Sequence, residues 1–379
     1  MMKIATMGAE KIKDCRGKWT VEAEINGAKG AAPGGTSKGI YEAKEVDAED
    51  AVALINGTLK EKLVGREFTQ ESFDDELKRI DESQDFSNIG GNTSTALSFA
   101  FFNHEFTLKK SSFPFPLVNV FGGGKHGGFS DIQEFLIMPH EAKSFAEAFE
   151  TSKRFYATFK SLAEKKGPVG RNIEGAVTAN IRQEDVFEML LKTAEDVPAK
   201  IGIDAAASEL WNGEKYVYKN SGKEMESGEH VDFMRDIAET YGLFYVEDGF
   251  DQDDFMGFSE LKKKIGAKTL VCGDDLTVTN ADRLKMALDK GAVNAMIVKP
   301  NQIGTVTLAL KAVELAKSAG IVNVMSHRSG ETFDSTIARL AVNWEIPMIK
   351  IGLADTDIAK MNELVRLWGA ATRPRMAKL

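Results

Sequence analysis

Six short apolar runs in the second half of the chain each end on a residue capable of acid–base or metal chemistry. Ile201-Gly202-Ile203 leads to Asp204, Phe244-Tyr245-Val246 to Glu247, and Leu270-Val271-Cys272-Gly273 to Asp274. Ala295-Met296-Ile297-Val298 leads to Lys299, Val322-Asn323-Val324-Met325-Ser326 to His327, and Ile346-Pro347-Met348-Ile349 to Lys350. Carboxylates are hard oxygen ligands for a divalent cation. Lysine and histidine serve as proton carriers near neutral pH when their surroundings tune them. Three carboxylates, two lysines and a histidine brought to one place suggest a metal-assisted acid–base enzyme.

The elements between these residues say how they would be brought together. Amphipathic helical stretches such as Val306 to Lys317 and Ser335 to Trp344 separate most of the runs. Strand–helix alternation of this kind predicts parallel βα units. Residues at the carboxyl ends of successive parallel strands converge on one mouth of a barrel, where such barrels carry out chemistry. Residues 117–140 open this half differently, with an apolar run, the glycines Gly122-Gly123-Gly124, His126, and a second apolar run after Gln133-Glu134. A β-hairpin entering the barrel and a simple βα unit both fit that pattern.

The amino-terminal part has another character. Thr20 to Ile25 alternates like a half-exposed strand and is followed by the turn signal Asn26-Gly27. A glycine-rich loop at 31–39 precedes helical stretches over Ala48–Leu63, Phe73–Ser83 and Asn92–Leu108. These features predict a small α+β domain over 1–112, with Phe113-Pro114-Phe115-Pro116 as a rigid linker into a barrel over 113–379. A length of 379 residues suits two domains at about 100–200 residues each.

Composition narrows the classes of partner. The formal charge of −9 disfavours nucleic acid and anionic membrane, because both reward a basic surface. No apolar run approaches the ~20 residues a membrane span requires, and the first residues lack the apolar core of a signal peptide. With only Cys15 and Cys272 there is no disulfide framework, so the expected setting is cytoplasmic.

An ordered set of motifs sharpens this reading. Asp14-Cys15-Arg16-Gly17 with Thr20-Val21-Glu22 comes first, then Ser37-x-Gly39-x-x-Glu42-Ala43, Gly123-Gly124-Lys125-His126-Gly127-Gly128 and Gln133-Glu134-Phe135. Val246-Glu247-Asp248, Gly273 to Asn280 and Lys299-Pro300-Asn301-Gln302-Ile303-Gly304-Thr305 follow, and Ser326-His327-Arg328-Ser329-Gly330-Glu331-Thr332 is the most specific. Together they resemble the enolase (phosphopyruvate hydratase) family along nearly the whole chain.

The resemblance implies an α/β architecture, a small α+β domain followed by an enolase-type (β/α)8 barrel, and the interconversion of 2-phosphoglycerate and phosphoenolpyruvate. It implies two Mg²⁺ sites. Asp204, Glu247 and Asp274 would bind the tighter ion, and Ser37 on a mobile loop would bind one that arrives with substrate. Lys299 would be the general base, its pKa lowered by Mg²⁺ and Lys350, and Lys350 would also contact the substrate carboxylate. Glu174, in Glu174-Gly175-Ala176-Val177, would be the acid that helps the hydroxyl leave, assisted by Glu134 beside Gln133. Arg328 and Ser329 would hold the phosphate, with His126, Gln133 and His327 also in the substrate pocket. A homodimer or an assembly of dimers is implied as well.

The chain also departs from the family's pattern. Ile173 and Ala176 stand where enolases usually have Asp and Gly around the acid. Gly249 replaces a Pro, Gly122 an Asn and Lys38 a Thr. The Arg-Ser-Glu-Arg stretch expected after Lys350 is missing, with Asp355-Thr356-Asp357 nearby instead. No metal ligand or base is lost, so the departures bear on the pocket wall more than on the reaction class. Two alternatives stay open: an enolase-like lyase acting on a related phosphorylated or phosphonylated acid, and a catalytically weak binding paralogue.

Overall fold

The computed structural model describes residues 1–36 and 39–379. The six apolar runs are strands of a closed eight-stranded barrel. In chain order these are β1 (Phe115–Gly122), β2 (Glu134–Met138), β3 (Lys200–Asp204), β4 (Tyr245–Glu247), β5 (Leu270–Gly273), β6 (Ala295–Val298), β7 (Val322–Ser326) and β8 (Met348–Ile351). Strands β3 to β8 run parallel, and β8 closes the ring by pairing parallel with β1. Strand β2 is antiparallel to both β1 and β3. The hairpin alternative for residues 117–140 is therefore the one adopted.

The Phe-Pro-Phe-Pro segment is not a linker. Phe115 and Pro116 are the first residues of β1, opposite Met348 and Ile349 at the closing seam, while Phe113 pairs with Met376 of a short carboxyl-terminal strand. Proline removes one ladder donor, but the Phe115 amide still bonds Pro347 O at 2.9 Å. Buried phenylalanines on either side supply the packing that keeps the segment in the sheet.

A second hairpin, Val169–Arg171 with Val177–Ala179, extends the sheet beside β1. Its turn carries Glu174. Helices such as Gln183–Asp196 and Val306–Ser318 surround the barrel and bury one apolar face against it.

The amino-terminal domain is a three-stranded antiparallel sheet (Met7–Lys13, Trp19–Ile25, Ala28–Ala31) covered by helices. The helix expected over 48–63 is present with a π-turn at Ile55–Leu59. The next begins at Gln70, three residues before the expected Phe73, because the Thr69 hydroxyl caps the amide of Ser72. The third, Gly91–Glu105, lies so close to the sheet that a Cβ on Gly30 would meet Ala100 N at 2.3 Å. Phe73 stacks on Phe101 at 4.7 Å inside the domain's own core; burying each such side chain contributes about 1.5–3 kcal/mol.

Candidate active site

Strand register decides which charges meet. Asp204 lies opposite Glu134 on one side and Glu247 on the other, so three carboxylates occupy one level of the barrel. Lys350, in the last strand, reaches all three: its Nζ is 2.6 Å from Asp204 Oδ2, 2.8 Å from Glu247 Oε1 and 3.1 Å from Glu134 Oε2. Burial opposes the ammonium, yet the three carboxylates hold its pKa well above the ordinary lysine value. The second oxygen of Glu247 accepts the Tyr245 hydroxyl at 2.7 Å.

Asp274 sits one strand further round. One of its oxygens takes Lys299 Nζ in a short ion pair and the other accepts Gln302 Nε2 at 2.9 Å. Two amides fix the turn that carries it: those of Asp274 and Asp275 each donate to the Asp248 carboxylate at 2.8 Å. Lys299 is positioned in the same way, its amide bonding Thr279 Oγ1 at 2.8 Å. The expected fall in its pKa rests on Mg²⁺ as well as Lys350, and the protein's own groups act in both directions. Burial and the neighbouring Arg328 and Lys350 push downward, but contact with Asp274 outweighs them and raises the value.

Of the expected metal ligands, Asp204 and Glu247 are thus bridged by Lys350, while Asp274 is paired with Lys299. Among the described residues, the groups within 4.8 Å of one another are Asp248–Asp274–Asp275 and His126–Glu134–Glu174. The donor set nevertheless suits a hard cation. All three expected ligands are almost fully buried oxygen donors. Burial first, and then the charges of Asp204 and Asp274, drive Glu247 well above the usual carboxylate range. A divalent ion would offset that crowding of negative charge. Ser37 lies outside the described residues.

A different group faces these strands from the loops. His126 Nδ1 stands 3.6 Å from Glu134 Oε1 and 3.5 Å from Glu174 Oε2, and Asn119 donates to the same Glu174 oxygen at 3.0 Å. The two carboxyl groups divide in their proton affinity. Burial raises Glu134, with Glu174 and Asp204 adding to it against Lys350. Burial also pushes Glu174 upward, but His126, His327, Asn119 and Lys350 outweigh it and hold it below its ordinary value. The two carboxyls are thus pushed in opposite directions, Glu134 up and Glu174 down.

His327 joins this side, with Nδ1 2.8 Å from Asp357 Oδ1. Arg328 forms a buried two-pronged pair with Glu42 of the amino-terminal domain, at 2.8 and 3.1 Å. The Ser329 hydroxyl is bonded to Thr36 at 2.8 Å. His126, Gln133, Glu134, Glu174, Asp204, Asp274, Lys299, His327, Arg328, Ser329 and Lys350 all line one polar recess of about 390 Å³. Glu247 lies beneath its floor, fully buried.

Sequence reasoning assigned no part to Asn119, Asp248, Gln302 or Asp357. Asn119 had a visible signal, a lone polar residue within the apolar run Phe115–Gly122. Asp357 had only its place in a segment that departs from the expected pattern.

Eight strands with ionisable side chains gathered at the carboxyl ends of the parallel ones define a barrel of the enzyme type. Two family models divide the chain: "Enolase, N-terminal domain" matches residues 4–111 and "Enolase, C-terminal TIM barrel domain" matches 110–372. The chain is 39% identical to an enolase of Methanosphaera stadtmanae, with 97% of each chain covered. It is 40% identical to one of Natronomonas pharaonis, covering 97% of this chain and 99% of the relative. The chain belongs to the enolase family. No helix among the described residues is long and apolar enough to cross a membrane.

Proposed function

We propose that the protein interconverts 2-phosphoglycerate and phosphoenolpyruvate. The observation that carries this reading is that Lys299 and the carboxyl pair Glu134–Glu174 border the same small recess. A base and an acid around one substrate are what the elimination of water requires.

In the dehydration direction Lys299 Nζ takes the proton from C2. The C3–oxygen bond then breaks, the C2–C3 double bond forms, and the hydroxyl leaves as water with the proton held between Glu134 and Glu174. Lys299 must be neutral to accept the proton, so Asp274 has to release it. Mg²⁺ held by Asp204, Glu247 and Asp274 would draw off that carboxylate charge and stabilise the second negative charge that grows on the substrate carboxylate. Enolase-superfamily sites are themselves the general example of a Lys or His base working with one or two Mg²⁺ ions. Lys350 orients the substrate carboxylate. Arg328, whose planar fork already grips a carboxylate, and Ser329 take the phosphate.

A second reading has its own support. The turn at 172–176 and the segment 352–357 pack on one another, and both depart from the expected motifs. An altered wall on the acid side favours a related phosphorylated or phosphonylated acid. The deciding experiment is the absorbance of the enol phosphate when 2-phosphoglycerate and Mg²⁺ are added to the purified protein, with Lys299→Ala as control. Turnover that the variant lacks supports the first reading. No turnover by folded, Mg²⁺-replete protein rejects it in favour of the second.

A further inference from the structure

Residues 352–357 form a clasp over the acid side of the recess. The amides of Leu353 and Ala354 both donate to the Glu174 carbonyl, at 2.9 and 3.1 Å. Arg171 closes the other side, donating to Gly175 O at 3.1 Å and to Leu353 O at 2.5 Å. Gly352 lies so close that a Cβ there would stand 2.2 Å from Glu174 O and 2.5 Å from Asp357 Oδ2. From the next turn Asp357, itself 1% exposed, reaches His327 Nδ1 at 2.8 Å. One short segment thus holds the backbone of Glu174 and the ring of His327 together.

We propose that Asp357 is a positioning residue: its carboxylate fixes the His327 ring as a Nδ1–H donor, so that Nε2 is left to the recess beside Glu174, and the 352–357 clasp sets the spacing of the two. The catalytic consequence rests on the reading of Glu134 and Glu174 as the proton-donating pair. A histidine whose Nδ1 is tied to a carboxylate has its tautomer and orientation settled by that partner. His327 then presents a fixed N–H, and with it positive charge, to the side where a hydroxyl would leave as water. The histidine belongs to the family motif, whereas the aspartate that holds it lies in the segment that departs from the family pattern.

The charged groups around the ring agree with this role. Asp357 faces it from the helix Asp355–Ala370, Glu174 from the hairpin turn and Glu331 from the ring's own loop. Lys360 offsets Glu331 at 2.9 Å, and the Cys15 thiol of the amino-terminal domain donates to Ser329 O at 3.3 Å. Burial works against a charged ring, but Asp357, with Glu174 and Glu331 behind it, pushes His327 up to about 9.

The test follows exchange of the histidine C2 proton with deuterium by mass spectrometry across pH, on the full chain with Mg²⁺, alongside turnover of 2-phosphoglycerate. In the wild type the His327 midpoint is expected at about 9. In Asp357→Asn it should fall by about 1–3 pH units, the effect of removing an adjacent opposite charge. The kcat should fall about 10–100-fold, as when a ligand-orienting partner is lost, with KM changing much less. Asp357→Glu should retain most of the midpoint and part of kcat, and it carries the test if the asparagine variant does not fold. A midpoint unmoved in Asp357→Asn overturns the proposal, and so does a midpoint lowered in either variant with kcat unchanged. Absence of 2-phosphoglycerate turnover in the wild type refutes the enolase reading instead, while the midpoint still decides whether Asp357 fixes the ring.

Discussion

The two sides of the recess are built by different means. Asp204, Glu247, Asp274, Lys299 and Lys350 stand in or directly after barrel strands, and the ladder sets their positions. Glu174 and His126 stand in loops; His126 is held by the local turn Gly124–His126, and Glu174 by partners distant in sequence, Asn119 and residues 353–354. The lesson is that a strand end inherits its position from the apolar run before it, whereas a turn must be held by whatever packs on it. Charge follows the same division. The strand-borne side is a lattice of buried lysine–carboxylate pairs, whereas the turn-borne Glu174 faces Glu134 of β2 across His126 and accepts from Asn119.

The comparison is put at most risk by Lys299→Ala. If the base is strand-borne, exchange of the C2 proton of 2-phosphoglycerate with solvent should fall by about 10²–10⁴-fold, with Mg²⁺ affinity by calorimetry nearly intact. Exchange at the wild-type rate would remove Lys299 from the role. Asp274→Asn should come next in size, weakening Mg²⁺ binding and turnover together by about tenfold or more. An unchanged metal titration would reject that ligand.

Gly352→Ala probes the other side. The added methyl has to displace the Glu174 carbonyl, and a misplacement of about 1 Å can cost about 10²-fold in rate. Turnover should drop while Mg²⁺ affinity stays unchanged. A parallel loss of metal binding would show that the two sides are not separable.

The smallest effect concerns stability. The folded-state pKa of His327, at about 9, lies above its ordinary 6.5. The stability it contributes is therefore fully present below pH 6.5 and is lost as pH rises through about 9. Chemical denaturation of wild type and Asp357→Asn should show the wild-type advantage shrinking across that window. A constant difference would mean that the pair contributes packing and no charge.

Much of the strand-borne side was legible before any fold was seen. The run before Asp204 and the run before Glu247 are β3 and β4, and Lys299 and His327 directly follow β6 and β7. The amino-terminal helices were legible to within a few residues, since their boundaries depend on caps such as Thr69. The Phe-Pro-Phe-Pro segment misled because proline signals a linker locally, while the seam between β8 and β1 needs buried phenylalanines there. The opposite shifts of Glu134 and Glu174, the pairing of Lys299 with Asp274 and the engagement of Arg328 by Glu42 had no local signal.

By itself the sequence determined the barrel, its small companion domain and the residue types at the strand ends, because apolar periodicity and chain order are local properties. Only the tertiary structure decided which lysine meets which carboxylate, that the two carboxyls of the Glu134–Glu174 pair are pushed in opposite directions, and that Asp357 meets His327. Each of those depends on distances between segments far apart in the chain, and electrostatic energy in a buried site changes steeply with such distances.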